Sequence, residues 1–476
     1  MPTSPDQFPE DSIALYAAGS PAPAGIRRGH PRAGAIDGVR TARLSPRRAF
    51  WFSAAAFAVQ MGFGTAPTPL WPLYEARDGF GPTTATVAFA QLFVGASLGF
   101  LGLGHLSDRH GRRRVIVPAL LLAIVAALML TARPDLPGLL AGRLLTGVAL
   151  GLMASTATAY LTDLYAAGHP GRPGSPVPGT VATAANLGGL ALGPLAGGVI
   201  AQWAPQPLMT TQLAFATAMA VLMVLVAAGP ETVNRQKASP ETAGPQTAGP
   251  EPVDSQTMGP GTPLQKTAGP YTPGSGTPVR RRPARFALRP GGRLSFAGAG
   301  GLAFAAFTTF GLFSALGASM LRDRLGITAP LAGGLPGFVM FFAAAAGQLA
   351  MGRASGGRLL ATGTVLFPLG LGLVALSLAH PALWLYLAAS AVAGAGAGLL
   401  FKGGAGAAVR VAVPASRAGV LAVFFVIAYA GMGLPVIVFS VALQHIGPLK
   451  AMAGLAVVIS ACAVASTQVV RRTARR

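Results

Sequence analysis

From residue 50 onward, long uninterrupted apolar runs alternate with short polar punctuation. The runs lie at roughly 50–73, 84–106, 113–132, 138–162, 180–203, 209–229, 294–320, 331–353, 359–379, 382–402, 418–442 and 449–470. Most reach about 20 residues, the length a helix needs to cross a hydrocarbon core. A closed barrel is the other structure that satisfies its backbone inside a bilayer. It would show runs of about 10 residues alternating apolar and polar positions, and these runs are continuous instead. The pattern predicts an all-α polytopic membrane protein with twelve transmembrane helices.

Composition agrees: 52% of residues are hydrophobic and 11% charged, against about 25% charged in an ordinary soluble domain. The first run starts too deep for a secretory signal peptide. The single cysteine, Cys462, sits in the last run, and the six histidines are scattered without ligand spacing, so no disulfide or metal cage is expected. No phosphate-binding Gly-rich loop, nucleophile elbow or metal cluster occurs, so the chain reads as a non-enzyme without a cofactor.

The net charge of +22 comes from 36 Lys and Arg against 14 Asp and Glu. These cations are dispersed between the apolar runs rather than gathered on one nucleic-acid-binding face. If both termini are cytoplasmic, 30 of the 36 fall on the inner side, five on the outer side, and Arg143 alone in the membrane. That asymmetry is the positive-inside pattern, and it predicts an integral protein of the cell membrane.

Residues 230–293 divide the runs six and six. This Pro-, Thr- and Gly-rich stretch repeats Thr-Ala-Gly-Pro and has almost no bulky apolar content, which predicts a disordered cytoplasmic linker. The expected division is a basic arm at 1–48, a first six-helix bundle at 49–229, the linker, a second bundle at 294–470 and a basic tail at 471–476. The linker's end, Arg280-Arg281-Arg282 to Arg289, is suited to anionic inner-leaflet lipids. The halves echo each other. Gly104 follows the start of the first run by 54 residues, and Gly347 follows the start of the seventh by 53. Duplicated six-helix units are a transporter layout.

The most concentrated charge lies between the second and third runs, in Gly104-His105-Leu106-Ser107-Asp108-Arg109-His110-Gly111-Arg112-Arg113-Arg114. Gly104 allows close helix approach, Gly111 a sharp turn, and the arginines hold the loop at a membrane surface. The string resembles the loop 2–3 signature of the major facilitator superfamily. The resemblance implies two six-helix bundles rocking around a midplane cavity. It also implies an inner-side conformational latch made by Asp108, Arg109 and Arg112 with an acid at the end of the fourth helix, here Asp163. The second-half copy, Gly347 to Arg353, carries Met351 in place of the acid.

Gly189, Gly193, Pro194, Gly197 and Gly198 fit G-x-x-x-G-P-x-x-G-G in the fifth run, which resembles the antiporter motif of the superfamily's drug–proton exporters. Generic small-residue packing accounts for the same glycines. The fourth run resembles a further family motif around Arg143, with Thr146 where a Gln is usual. Arg143 is a coupling candidate or a snorkelling side chain. Gln60, Gln91, Asn186 and Tyr429 are candidate cavity residues, with interhelical bonding the equal alternative for the amides.

No Asp or Glu occupies the middle of any run, so the buried carboxylate used by many proton-coupled carriers is missing. The expected function is secondary active transport, foremost export of a small hydrophobic or cationic compound with protons as the candidate counter-ion. Uptake of a small metabolite is the alternative within that class. A non-transporting sensor or scaffold is the alternative outside it.

Overall fold

The computed structural model describes residues 44–103, 110–172, 174–232 and 286–475. The N-terminal arm, most of the central linker, and Gly104, Asp108 and Arg109 of the charged string lie outside them. Twelve long helices follow in order: α1 (Pro46–Thr65), α2 (Pro82–Leu98), α3 (Arg113–Ala132), α4 (Leu136–Gly168), α5 (Val177–Trp203), α6 (Pro207–Ala227), α7 (Gly292–Leu325), α8 (Pro330–Ala350), α9 (Gly356–Ala379), α10 (Leu383–Val411), α11 (Arg417–Ile446) and α12 (Pro448–Arg475). Many open on proline within their first two residues, including α1, α2, α4, α5, α6 and α8. There the missing N–H costs no bond and the fixed φ suits a helix. Among the described residues the only extended pairing is the isolated bridge between Leu288 and Ala412.

All of these helices except α1 are long and apolar enough to cross a membrane. The first predicted span, 50–73, is divided instead. α1 ends at Thr65, and Pro67 and Pro69 lead through a 3₁₀ turn, Thr68–Leu70, into a two-turn helix, Trp71–Asp78. Proline removes the backbone donors that would have continued the α1 ladder. Several other helices outrun their predicted spans. α4 continues to Gly168, α7 to Leu325 and α10 to Val411, because hydropathy registers the hydrocarbon-facing part of a helix and not its ends. Lys402, the last residue of the tenth predicted run and counted with the inner-side cations, is therefore more than two turns inside α10.

The described residues all belong to one compact unit. Within the first six helices, α1 packs on α4, α5 and α6, and α3 packs on α4 and α6. Within the last six, α7 packs on α8, α10, α11 and α12, and α9 on α10 and α12. Helix pairs α2–α11 and α5–α8 join the two sets. The span of α7 is 89% buried and that of α12 is 28% buried, which separates a central helix from a peripheral one. The end bearing Arg112–Arg114, Arg353, Arg358 and Arg417 is called the basic face below. The end bearing Glu75, Arg77 and Arg322 is the far face.

Candidate functional site

At the basic face, the chain turns into α3 through Gly111, whose φ of +104° lies in the region that favours glycine. Arg112 forms an ion pair with Asp163 of α4, Nε to Oδ2, at 2.9 Å. The same Asp163 oxygen accepts a hydrogen bond from the Thr232 hydroxyl at 2.9 Å. One residue earlier, Glu231 faces the start of α3. Its Oε1 accepts from the backbone N–H groups of Arg112 at 2.9 Å and Arg113 at 3.4 Å, and its Oε2 from that of Arg114 at 3.3 Å. The first N–H groups of a helix have no partner within it, and their dipoles favour an anion. Arg113 Nη1 donates to the carbonyls of Ala227 and Gly229, and the Tyr160 hydroxyl donates to that of Pro230. The chain leaving α6 is thus fastened to α3 and α4 by both its backbone and its first acid. Sequence reasoning passed over Glu231 as linker. Its signal is a single acid beside a proline at a helix exit, opposite a run of arginines.

Arg143 lies two turns into α4 and is 1% exposed. Its guanidinium turns inward to α1, where Nη1 and Nη2 each donate to the Gly64 carbonyl at 3.1 Å. Trp71 and Phe89 lie beneath it, with ring centroids 5.8 and 5.9 Å away, in reach of a cation–π attraction. Its Nε has no partner. Gly64 is in the last turn of α1, just before Pro67, so a side chain completes the hydrogen bonding that the broken helix leaves open. The neighbouring Thr146 donates its hydroxyl to the Gly142 carbonyl within α4.

In α5, Gly189, Gly193 and Gly197 line up against α1, near the carbonyls of Ala58, Gly62 and Ala66 respectively. A methyl group at Gly193 would occupy the place of the Gly62 carbonyl and the Thr65 hydroxyl, and Thr65 itself bonds the Leu190 carbonyl at 3.0 Å. Pro194 and Gly198 point elsewhere. Pro194 meets Gly334 and Gly337, and Gly198 meets Pro330 and Leu331, all on α8. One motif therefore packs α5 on its own half with one stripe and on the opposite half with another.

The far face is closed by polar links between the halves. Glu75 accepts from Arg322 of α7 at 3.0 Å. Thr86 of α2 shares a 2.9 Å hydrogen bond with Ser440 of α11, and Gln444 donates to Thr83 at 2.8 Å. Between the faces the halves meet through rings. Tyr429 stacks on Phe93 at 5.7 Å and lies edge-on to Phe307, while Phe100 stacks on Phe425 at 4.9 Å. Phe401 extends the belt from α10 to Phe307.

The remaining candidates are spread out. Gln60 is fully buried and donates to the Ala119 carbonyl of α3 at 3.4 Å, while Gln91 and Asn186 are half-buried. Lys402 donates from α10 to the Gln348 carbonyl at 2.6 Å near the end of α8. Long basic side chains often satisfy terminal carbonyls this way. Among the described residues no cluster of His, Cys, Asp and Glu is suited to a metal.

The sequence matches the profile of the Major Facilitator Superfamily over residues 50–436. Among curated proteins it is 34% identical over 93 residues to the glucose transporter GlcP of Staphylococcus epidermidis, covering 20% of this chain and 21% of that one. It is 28% identical over 82 residues to the arabinose-proton symporter of Bacillus subtilis, covering 17% and 18%. These matches span about a fifth of each relative's length. Among solved structures, the nucleoside transporter NupG superposes with a TM-score of 0.60 at 12% identity, over 90% of this chain and 99% of that one. The profile covers most of the chain, and the helices follow the superfamily's fold along nearly all of it: the chain belongs to the Major Facilitator Superfamily.

Proposed function

We propose that this membrane transporter is a secondary carrier that takes up a small metabolite with protons as the coupling ion, by alternating access between the bundles 49–229 and 294–470. The observation that carries this reading is the set of side-chain links across the halves at the far face, from Glu75 to Arg322 and from Thr83 and Thr86 to α11. A solute entering from that side requires these links to part, and they are few and small, the outermost, Gln444 to Thr83, being exposed. On this reading the basic face is cytoplasmic, following the positive-inside pattern, both termini lie on the inner side of the cell membrane, and the Arg112–Asp163 pair belongs to an inner latch. The names of the relatives, a glucose transporter and an arabinose-proton symporter, favour metabolite uptake and proton symport.

The second reading is drug-efflux-like export of a hydrophobic or cationic compound by proton antiport. It is favoured by the glycine and proline pattern of α5, which here packs against both α1 and α8. The purified protein in liposomes, offered sugars, nucleosides and cationic dyes under an imposed pH gradient, separates the two. Accumulation of a metabolite on the alkaline side, abolished when the gradient is collapsed, is expected. Dye moving against the proton flow replaces this reading with export. Failure of every compound to move in folded protein replaces both with a non-transporting scaffold.

A further inference from the structure

Glu75 occupies a position that the absence of mid-span acids makes important. It sits in the two-turn helix beyond the proline break of α1, yet its partner belongs to the other half of the chain. The residue is 9% exposed. One carboxylate oxygen, Oε2, takes the bond from Arg322, while Oε1 has no hydrogen-bond partner. A buried carboxylate oxygen without a donor penalises the ionised form.

The surroundings sharpen that penalty. Arg322 is shared, because its Nε also pairs with Asp323 at 3.0 Å. Arg77, two residues along, is held by Asp78 at 2.7 Å and by the Pro134 carbonyl. From α7, then, Glu75 faces one divided cation, the acid Asp323 and the Ser319 hydroxyl. From its own helix it has Tyr74, Arg77 and Asp78 as neighbours. Burial raises the Glu75 carboxyl above its ordinary value, and the Arg322 guanidinium and the nearby Ser319 hydroxyl, which both favour the ionised form, do not offset it. A hollow of about 30 Å³ beside Arg322, lined also by Pro72, Leu73, Ile327 and Pro330, has room for a water molecule.

We propose that Glu75 is the titratable element of the far-face gate: taking up a proton from the far side and closing the halves over this carboxyl favour one another. The inference rests on the carrier reading and names the group through which protons act on its cycle. When the halves part, Arg322 leaves with α7 and Glu75 meets water, where its ordinary acidity returns. An acid that binds its proton more tightly in the closed arrangement draws the equilibrium toward closure as pH falls. The effect operates between the ordinary carboxylate range and the raised value. Above that window Glu75 is ionised in both arrangements, and closure depends on Arg322 alone. The step is a protonation only: one carboxylate oxygen gains a proton from solvent, and no bond between heavy atoms changes.

The test places spin labels at Ala76→Cys and Thr328→Cys, both exposed, in a Cys462→Ser background, and reads their distance distribution in lipid nanodiscs from about pH 8 to about pH 5. The short-distance population is expected to rise as pH falls, by at most about tenfold in equilibrium constant per pH unit for one proton. Glu75→Gln, a neutral isostere, is expected to hold the short distance at every pH. Arg322→Gln removes the group that favours ionisation and is expected to move the midpoint to higher pH. A short-distance population that shrinks on acidification, or a Glu75→Gln protein that keeps the wild-type pH profile, overturns the proposal. The labels report without substrate. A responsive gate without flux therefore counts against the carrier reading alone, and flux with an unresponsive gate counts against this one alone.

Discussion

At Glu231 one carboxylate accepts from four backbone N–H groups, those of Arg112, Arg113, Arg114 and Thr232. That makes it the N-terminal cap of α3, supplied from a segment more than a hundred residues away. Glu231→Ala is expected to lower stability by about 1–2 kcal/mol, as loss of a helix cap does, and Glu231→Gln by less, since an amide oxygen still accepts. Thermal unfolding of the purified protein in detergent reads the difference, and equal melting of all three forms would remove the cap assignment. Arg143 makes a second prediction of this kind. Arg143→Leu leaves the Gly64 carbonyl buried without a donor, a loss of about 1–3 kcal/mol. Arg143→Lys retains a donor but not the fork and is expected to fall between. The run pattern puts Arg112 and Asp163 at the same membrane face, and their pairing was what the family resemblance implied. Their action as a latch remains a proposal, as do the roles of Asp108 and Arg109. Glu231 was not legible, because its partners are backbone groups, which leave no trace in side-chain chemistry.

α5 shows how one helix can serve two neighbours. Its glycines at 189, 193 and 197 bring it against α1, and Pro194 and Gly198 bring it against α8. Gly193→Ala is expected to force α1 and α5 apart, and a protein that loses its folded yield on that change would fit. Gly188→Ala is the internal control, since nothing lies within 4 Å of where its methyl would sit. It is expected to be neutral or to stabilise α5 by up to about 1 kcal/mol, the helix-propensity difference between the residues. Comparable destabilisation by both changes would show that backbone effects, not packing, dominate here. The existence of these helices was plain from apolar run length, but which stripe meets which neighbour was not. Small residues mark close approach without naming the partner. The same limit explains α1: prolines at 67 and 69 were visible, whereas the need for Arg143 to satisfy the carbonyl they strand appears only when α4 is laid beside it.

Over the whole molecule, twelve helices and the duplicated plan were legible because bilayer thickness sets run length. The far-face closure was not, because Glu75 and Arg322 are 247 positions apart and neither stands within a motif. Joining Thr83→Cys to Gln444→Cys, whose native side chains meet at 2.8 Å, is expected to stop flux in the Cys462→Ser background, and a reductant is expected to restore it. Unchanged flux in the cross-linked protein would mean that this face does not open during the cycle. The belt of rings between the faces has a different consequence. Phe93 meets Tyr429 and Phe100 meets Phe425 across the halves, with Phe307 and Phe401 behind them in the second half, and these contacts are held by dispersion and quadrupole attraction. Hydrogen bonds need one distance and one direction, whereas ring contacts need only close approach. The described polar links between the halves lie at the far face, so that end fixes how the two halves register, and the apolar middle adds contact area without adding direction.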